Sequence, residues 1–303
     1  MKNDRRAKRR RFLKLSAAAL VGTMVYGMLI PVRRVEVSSH SVALAGLPAE
    51  LDGLRVVQIS DLHVGPLFRA GSVRRIVTLS NACHPDVVVL TGDFVNYRGM
   101  KHLSAGAREL AGLQAPLGVF ACLGNHDHWE DAEGVRKGLE EVGVRVLVNE
   151  SACVAPGLSI AAVDDLMSGR PDLERTMAGL TDDGAVVLLS HNPTILPKVA
   201  DRPWLVLAGH THGGQIALPF LGPRGTARLP GVGSFEYFYE WLGVRAHHGR
   251  TDAISTYRYP EGWYREGRAR MYVSRGVGFS HGTPIRLNCP PEIACFTLRA
   301  AAP

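Results

Sequence analysis

Two histidines in the segment LAGHTHGGQ, residues 207–215, lie one residue apart, directly after an apolar run and before two glycines. Imidazoles in such a place are either polar turn residues or metal ligands at the end of a strand. Four further apolar runs also end in Asp, His or Asn, and the polar residues at the five ends are Asp61, His63, Asp93, Asn125, His191, His210 and His212. Nitrogen and oxygen donors without a thiolate suit Mn, Fe or Zn and predict a site of that kind.

Each of these residues has a plainer interpretation when it is taken alone. His210 and His212 could be turn residues, and Asp61 and Asp93 could be N-caps of helices that follow strands. Capping does not explain why His63 accompanies the first aspartate. Residues i and i+2 of an extended segment face the same way, so Asp61 is aimed with His63, and His210 with His212. The complete set therefore favours a metal site.

The apolar runs indicate buried strands, because continuous Val, Ile and Leu are typical of strands covered on both faces. The strands predicted to end at the site are residues 54–60, 85–91, 117–123, 185–190 and 203–208, and later ones are residues 145–148, 158–163, 270–274 and 293–298. Amphipathic helices are predicted for residues 69–82, 104–113 and 131–142. Strands that alternate with helices predict an α/β fold, in which ligands gather at the carboxyl ends of the strands.

The motifs at the strand ends follow in a definite order: D-x-H at residues 61–63, G-D at 92–93, G-N-H-D at 124–127, the isolated His191, and G-H-x-H at 209–212. In this order they resemble the calcineurin-like metallophosphoesterase superfamily, over most of residues 55–298. The chain is most similar to a membrane-associated bacterial subgroup with an N-terminal anchor or twin-arginine signal and a C-terminal sequence like residues 286–293, RLNCPPEI. The resemblance implies a four-layer α/β/β/α sandwich with the metal site at the carboxyl ends of the strands.

The resemblance also implies a role for each site residue. One metal ion would be held by Asp61, His63 and His212, and the other by Asn125, His191 and His210, with Asp93 as the bridge. Two such ions share a hydroxide that attacks phosphorus in line. His126 would face the scissile phosphorus, where it stabilises developing charge or protonates the leaving oxygen. The alternative, that His126 is itself a ligand, stays open.

Two positions depart from other branches of the superfamily. Asn96 stands where protein phosphatases continue with Asp-Arg-Gly and where purple acid phosphatases need a tyrosine ligand, and Asp127 stands where protein phosphatases carry Glu. A protein Ser/Thr phosphatase is therefore disfavoured. Asn96 is a candidate for a hydrogen bond to His126 or to a substrate oxygen. His128 is a candidate for a substrate contact, although a solvated side chain is its simpler interpretation.

The formal charge of +7 is confined to the N-terminus. Residues 1–14 hold eight of the 35 Lys and Arg and one of the 28 Asp and Glu, so the remainder carries 27 of each and is neutral. A neutral chain beyond residue 14 disfavours a nucleic-acid binder, whereas a basic N-terminal segment is typical of a targeting signal. Residues 9–14, RRRFLK, resemble a twin-arginine export signal, and the next 18 residues, 15–32, carry no charge.

The predicted organisation is a signal or membrane anchor in residues 1–34 and a catalytic domain in residues 35–303. An uncleaved anchor is favoured over cleavage near the Ala-Leu-Ala at residues 43–45, which lies far beyond the apolar run. The flanking cations disfavour a buried core helix. The positive-inside rule places the catalytic domain on the outer side of the bacterial cytoplasmic membrane. The twin-arginine resemblance adds the export machinery as a partner.

Residues 219–267 are predicted to be an insertion near the site, since the last ligands precede them and the final strands follow. Its aromatic residues are Phe235, Tyr237, Phe238, Tyr239 and Trp241. They suit either a lid or surface that dips into lipid, or a locally packed loop.

The five cysteines show no zinc-site spacing. Cys122 lies inside an apolar run and is expected in the core. Cys289 and Cys295 are a candidate disulfide in an oxidising compartment, and the odd total leaves at least one free thiol.

These features predict a membrane-held, metal-dependent phosphoesterase, in the first place a phosphodiesterase that acts on a lipid-linked phosphodiester or pyrophosphate of the envelope. Some members of the resembling subgroup cleave the pyrophosphate of UDP-2,3-diacylglucosamine in lipid A synthesis. That reaction takes place at the cytoplasmic face and conflicts with an exported domain, so it is the alternative. A non-catalytic binding module would be expected to have lost ligands, and a nuclease to carry a basic groove, so neither is favoured.

Overall fold

The strands of the described chain form two six-stranded sheets that pack face to face. The structure, a computed structural model, describes residues 2–29, 34–181, 184–217, 258–279 and 285–301. The strands are β1 (Glu36–Leu44), β2 (Arg55–Ile59), β3 (Val87–Thr91), β4 (Val119–Cys122), β5 (Arg145–Val146), β6 (Glu150–Ala155), β7 (Leu158–Ala162), β8 (Ala185–Leu189), β9 (Leu205–Ala208), β10 (Gly262–Glu266), β11 (Ala269–Val273) and β12 (Glu292–Ala300). The helices are α1 (Lys2–Leu29), α2 (Ala70–Asn81), α3 (Met100–Leu110), α4 (Asn125–Glu130), α5 (Ala132–Glu140) and α6 (Leu173–Met177), with short 3₁₀ segments at Ala49–Leu51, Pro193–Val199 and His212–Gly214.

The central strands of each sheet run parallel. The first sheet has the order β1-β12-β2-β3-β4-β5, and the second has the order β10-β11-β9-β8-β7-β6. Strands β2 to β5 are parallel, as are β7, β8, β9 and β11, whereas β6, β10 and β12 pair antiparallel with β7, β11 and β2. The carboxyl ends of β2, β3 and β4 therefore meet at one edge of the first sheet, and those of β8 and β9 at one edge of the second.

Alternate residues of a central strand pack into different layers. In β3, Val87 and Val89 lie between the two sheets, whereas Val88 and Leu90 pack beneath α2, α3 and α5. The outer face of the second sheet is covered by the segment Pro193–Val199. Burial of each such side chain contributes about 1.5–3 kcal/mol, which explains the unbroken apolar runs. The predicted four-layer α/β/β/α sandwich is confirmed.

The predicted elements that lead to the site are confirmed, with one shifted helix. All five strands end within two residues of the predicted bounds, as do the helices predicted at 69–82 and 131–142. The helix predicted at 104–113 instead covers Met100–Leu110. It ends early because Gly112 and Leu113 form tight i to i−3 hydrogen bonds to the carbonyls of Glu109 and Leu110.

Three strands had no counterpart in the sequence prediction, and all three lie at sheet edges. Strand β10 alternates between partly buried and exposed residues, β1 does so over most of its length, and β6 is mostly partly buried, so none has the continuous burial of a central strand. Edge strands that face solvent on one side carry polar residues there. These strands therefore lack the long apolar runs from which a buried strand is predicted.

The C-terminal end of the predicted insertion at 219–267 contributes a strand to the second sheet. Residues 262–266 form β10, which pairs with β11 in the second sheet. Residues 219–257, with the aromatic group predicted as a lid or lipid contact, lie outside the described residues.

The N-terminal segment forms the helix α1, whose C-terminal part contacts the segment that precedes β12. The carbonyl of Gly27 accepts a hydrogen bond from the N–H of Arg286, at 3.0 Å. Within the residues that the structure describes, no helix combines the length and the apolar character that a membrane crossing requires.

The structure does not bring together the candidate pair Cys289 and Cys295. The thiol of Cys289 lies 3.2 Å from the carbonyl oxygen of His212, whereas the sulfur of Cys295 lies 2.7 Å from that of Cys83. All five cysteines are free thiols in the structure. Cys122 is fully buried between the sheets, as predicted.

Candidate metal centre

The seven predicted ligands lie together where the carboxyl ends of both sheets meet. Backbone hydrogen bonds join the loops within each sheet, from the N–H of Asp61 to the carbonyl of Gly92 (3.1 Å) and from that of Gly209 to His191 (3.0 Å). The carboxylate of Asp61 also accepts the N–H of His210, with Oδ1 at 3.1 Å. This last bond ties the loop after β2 to the loop after β9, so the two sheets hold one site.

The backbone at five of the seven residues is left-handed. The φ angles are 56° at Asp61, 47° at His63, 57° at Asp93, 73° at His210 and 52° at His212. Few residues other than glycine adopt positive φ, and Asn, Asp and His tolerate it best. Such a backbone persists only where the surrounding structure fixes it, and it clusters at functional sites.

Asp61, His63, Asp93 and His212 form the first of two ligand groups. One donor atom from each lies within 4.8 Å of the others, and all four residues are buried. The Nε2 atoms of His63 and His212 are 3.0 Å apart, and that of His212 is 3.2 Å from Oδ1 of Asp61. Two imidazoles and two carboxylates that converge on one point are a donor set for a divalent cation.

Asp93, His191 and His210 form the second group, again with donor atoms within 4.8 Å of one another. Nδ1 of His210 lies 3.2 Å from Nε2 of His191, and Oδ1 of Asn125 lies 3.1 Å from the same nitrogen. Nδ1 of His191 lies 2.8 Å from the carbonyl oxygen of Thr91. A proton on that nitrogen leaves the Nε2 lone pair directed at the site, as in histidines that bind metals.

The carboxylate of Asp93 belongs to both groups. Its Oδ2 is 3.4 Å from Nε2 of His63 and 3.2 Å from Nε2 of His191. Its Oδ1 accepts the N–H of His126 at 2.9 Å, which fixes the orientation of the carboxylate. Asp93 therefore occupies the position that the predicted bridge requires.

The electrostatics of the cluster fit cations. Burial raises the pKa of Asp93, but His191 and its neighbours lower it well below its ordinary value. Burial, together with the charge on His191, lowers the pKa of His210 to about 3. Burial lowers the pKa of His191, but Asp93 and its neighbours raise it well above its ordinary value, so a protonated His191 balances the buried carboxylates in the structure. Bound divalent cations would supply that positive charge instead. The residues present therefore fit two divalent ions.

His126 lies beside the first ligand group and is a member of neither. Its ring centroid is 4.7 Å from that of His63, edge to face, and 4.6 Å from that of Trp129. The ligand groups form without it. This location favours a residue that reaches the substrate over a metal ligand, and the role of His126 stays a prediction.

Asp127 is a positioning residue that the sequence analysis treated only as a departure from other branches. Its buried carboxylate accepts backbone N–H bonds from Asp93 (2.9 Å), Phe94 (2.8 Å), Val95 (3.2 Å) and Gly124 (2.9 Å). It joins the loop after β3 to the start of α4. An acid three residues after the N-cap is a known capping signal, so the G-N-H-D motif did contain the information.

We expect Asp127→Asn to weaken metal binding without removing a ligand. The amide keeps one acceptor oxygen and places an NH₂ group against backbone donors, so buried N–H groups lose their partners. The free energy of unfolding should fall by about 2–3 kcal/mol, and metal affinity by about 10–100-fold, as for outer partners of metal ligands. Calorimetric Mn²⁺ titration and thermal unfolding measure both.

The matched control for this prediction is Asp131→Asn. Asp131 caps α5 through the N–H of Gly134 (3.0 Å), and Asn caps as well as Asp. Its metal affinity should equal that of the wild type. An Asp127→Asn variant that also matches the wild type would remove Asp127 from the support of the site.

Arg286 is a second supporting residue without an assigned role in the sequence analysis. Its guanidinium is fully buried and donates to the carbonyls of Gly278 (Nη2, 2.7 Å) and Arg275 (Nη2, 2.8 Å). The same Nη2 lies 3.2 Å from Nδ1 of His212. Arg286 therefore packs residues 275–278 behind a predicted ligand. The segment RLNCPPEI begins with Arg286, but its hydrogen bonds to backbone carbonyls cannot be predicted from the sequence.

The two candidate substrate residues are engaged within the protein. Nδ2 of Asn96 donates to the carbonyl of Phe279 (3.3 Å), and its Oδ1 accepts the N–H of Tyr97 (2.8 Å), so neither bond goes to His126. Nε2 of His128 lies 2.7 Å from Oδ1 of Asp164, and the ring is mostly buried rather than solvated. A contact of either with substrate stays a prediction.

Comparison with known proteins gives a consistent result. Residues 54–246 match the family described as calcineurin-like phosphoesterase. YkuE of Bacillus subtilis, an uncharacterized metallophosphoesterase, is 34% identical over 306 residues, which cover 96% of this chain and 98% of that protein. The phosphodiesterase YaeI of Escherichia coli is 27% identical, with 96% and 98% covered. The UDP-2,3-diacylglucosamine pyrophosphatase LpxG of Chlamydia trachomatis is 27% identical, with 81% and 83% covered.

Proposed function

Since the chain belongs to the calcineurin-like phosphoesterase family, we propose that it hydrolyses a phosphodiester or pyrophosphate with two divalent cations bound at the edge of its sheets. Its class, a metal-dependent phosphoric ester hydrolase, follows from the family and its relatives. The proposed ligands are Asp61, His63, Asp93, Asn125, His191, His210 and His212. The observation that carries the proposal is Oδ2 of Asp93, which faces a histidine nitrogen of each ligand group.

Each side chain has a defined task in this proposal. Bound Mn, Fe or Zn would polarise the phosphoryl group and activate water. Asp93 holds the two ligand groups at a fixed separation because one oxygen serves both. His126 is fixed by its N–H bond to Asp93 and by ring packing against His63 and Trp129. From there its imidazole stabilises or protonates the leaving oxygen.

The relatives favour substrates in which phosphate links two groups. YaeI is named a phosphodiesterase, and LpxG a UDP-2,3-diacylglucosamine pyrophosphatase. We propose a lipid-linked phosphodiester or pyrophosphate of the envelope as the substrate, with a UDP-2,3-diacylglucosamine-type pyrophosphate as the alternative. The complete ligand set disfavours a non-catalytic binding module, and the neutral chain beyond residue 14 disfavours nucleic acid.

Hydrolysis of bis-p-nitrophenyl phosphate by the full chain tests the activity. The protein is stripped of metal and then supplied with Mn, Zn or Fe, with p-nitrophenyl phosphate as the monoester control. We expect turnover to return with metal and to be faster on the diester than on the monoester. Bound metal without turnover of either compound would contradict the proposed activity and favour a binding module.

The proposal extends to the location of the enzyme. Residues 9–14 resemble a twin-arginine signal, so we propose that residues 1–34 direct export and hold the catalytic domain at the outer face of the cytoplasmic membrane. The double substitution Arg9→Lys with Arg10→Lys should stop export, because the signal requires the paired arginines. Export is measured as the accessibility of the catalytic domain to protease in spheroplasts.

A second arginine pair in the same segment provides the matched control for export. Arg5→Lys with Arg6→Lys makes the same change of side chain outside the motif, and export should continue. If both double variants are exported as the wild type is, the twin-arginine interpretation is wrong.

A further inference from the structure

Two cysteines that are far apart in the sequence meet in the fold. Cys83 follows α2, and Cys295 lies in β12, 212 residues further along the chain. Their sulfur atoms are 2.7 Å apart, inside the separation of about 3.5–4.0 Å that non-bonded carbon atoms keep. Both residues are half-buried at the margin of the hydrophobic cluster beneath the helices. A disulfide bond is about 2.05 Å long, so the two sulfurs need to approach each other by less than about 1 Å.

The other three cysteines have no such partner. Cys122 is buried between the sheets, the thiol of Cys289 faces the carbonyl of His212, and that of Cys153 faces the carbonyl of Ala155. Only one of the ten pairs that five cysteines can form is therefore brought together by the fold.

We propose that Cys83 and Cys295 form a disulfide when the protein meets a disulfide oxidant. In the proposed reaction, Cys83 is the thiol that attacks the oxidant first. Its thiolate forms a mixed disulfide with the oxidant and releases one thiol of the oxidant. The sulfur of Cys295, after losing its proton, then displaces the second thiol. Two electrons pass from the cysteines to the oxidant, and its two sulfurs leave as thiols.

The cross-link joins two parts of the fold that meet at the metal site. Strand β12 pairs with β1 on one side and with β2 on the other, and the segment before it carries Arg286 and Cys289 beside His212. Helix α2 follows the loop that carries Asp61. A bond between β12 and the end of α2 closes a very long loop, so it restricts the unfolded chain strongly. Such a bond suits a protein in an oxidising compartment.

Counting thiols tests the proposal directly. The full chain is equilibrated with oxidised glutathione, denatured, labelled with iodoacetamide and mapped by mass spectrometry. We expect label on three of the five cysteines and one linked peptide pair that contains Cys83 and Cys295. Label on all five, or a link that involves Cys122, Cys153 or Cys289, would overturn the assignment.

Thermal unfolding tests the effect of the Cys83–Cys295 disulfide on the stability of the fold. The oxidised protein should unfold about 5 °C or more above the protein reduced with dithiothreitol, a comparison that needs no variant. Cys83→Ala and Cys295→Ala should each abolish the difference, and Cys153→Ala should preserve it. A difference that survives in both Cys83→Ala and Cys295→Ala refutes the cross-link. None of these readouts depends on phosphoesterase activity.

Discussion

Replacing Asp93 with alanine is expected to abolish metal binding and turnover together. Oδ2 of Asp93 faces His63 at 3.4 Å and His191 at 3.2 Å, so one substitution removes a donor from both ligand groups. It also removes the acceptor for the N–H of His126. Mutation of a residue that only orients a metal ligand lowers metal affinity by about 10–100-fold. Loss of Asp93, a ligand shared by both groups, should therefore lower metal affinity by more than about 100-fold.

Two measurements and a matched control make the Asp93 result decisive. Metal content by mass spectrometry and turnover of bis-p-nitrophenyl phosphate are followed in the same samples. Asp86→Ala is the control, because Asp86 precedes β3 at the opposite end and bonds the N–H of Arg55 at 2.7 Å. That variant should keep both metal and turnover. A fully active Asp93→Ala would end the two-metal interpretation.

His126→Ala is expected to keep the metal ions and to lose most of the turnover. His126 lies outside both ligand groups, with its ring beside that of His63. A positioned acid or base contributes about 10²–10⁴-fold to a rate, and the loss should fall in that range. Metal content and kcat are measured together, and His102→Ala, on α3 outside both groups, is the control.

The leaving group separates the two roles proposed for His126. If His126 protonates the leaving oxygen, its loss should slow an alkyl ester much more than a p-nitrophenyl ester, whose leaving group needs no proton. If it stabilises charge on the phosphoryl oxygens, the two esters should slow by similar factors. Loss of metal from His126→Ala would instead make His126 a ligand and contradict both roles.

The ligand set could be predicted from the sequence because its positions follow from local order. An unbroken apolar run predicts a buried strand, and the residues that follow the run lie at the carboxyl end of that strand. Asp61, Asp93 and His191 could be placed in this way. The edge strands could not, because β1 and β10 expose one face and lack such a run.

The supporting residues could not be predicted because their partners are backbone groups or distant side chains. Asp127 accepts hydrogen bonds from backbone N–H groups of two loops, and Arg286 donates hydrogen bonds to backbone carbonyls. Every residue type offers such backbone groups, so the sequence does not identify these partners. The meeting of Cys83 with Cys295 depends on the position of β12 between β1 and β2. The candidate pair Cys289 and Cys295 stays apart because the thiol of Cys289, before β12, faces the carbonyl of His212, whereas Cys295, within β12, lies beside Cys83.

The left-handed backbone at Asp61, His63, Asp93, His210 and His212 limits how the metal preference of the enzyme can be redesigned. Asp, Asn and His tolerate that conformation, whereas a β-branched residue does not. Glu and Cys lack the short polar side chain whose local hydrogen bonds stabilise Asp and Asn in the left-handed region. An engineer who seeks a softer or harder ligand set therefore has two positions with ordinary φ, Asn125 and His191. Libraries at those two positions should yield folded variants far more often than libraries at the other five.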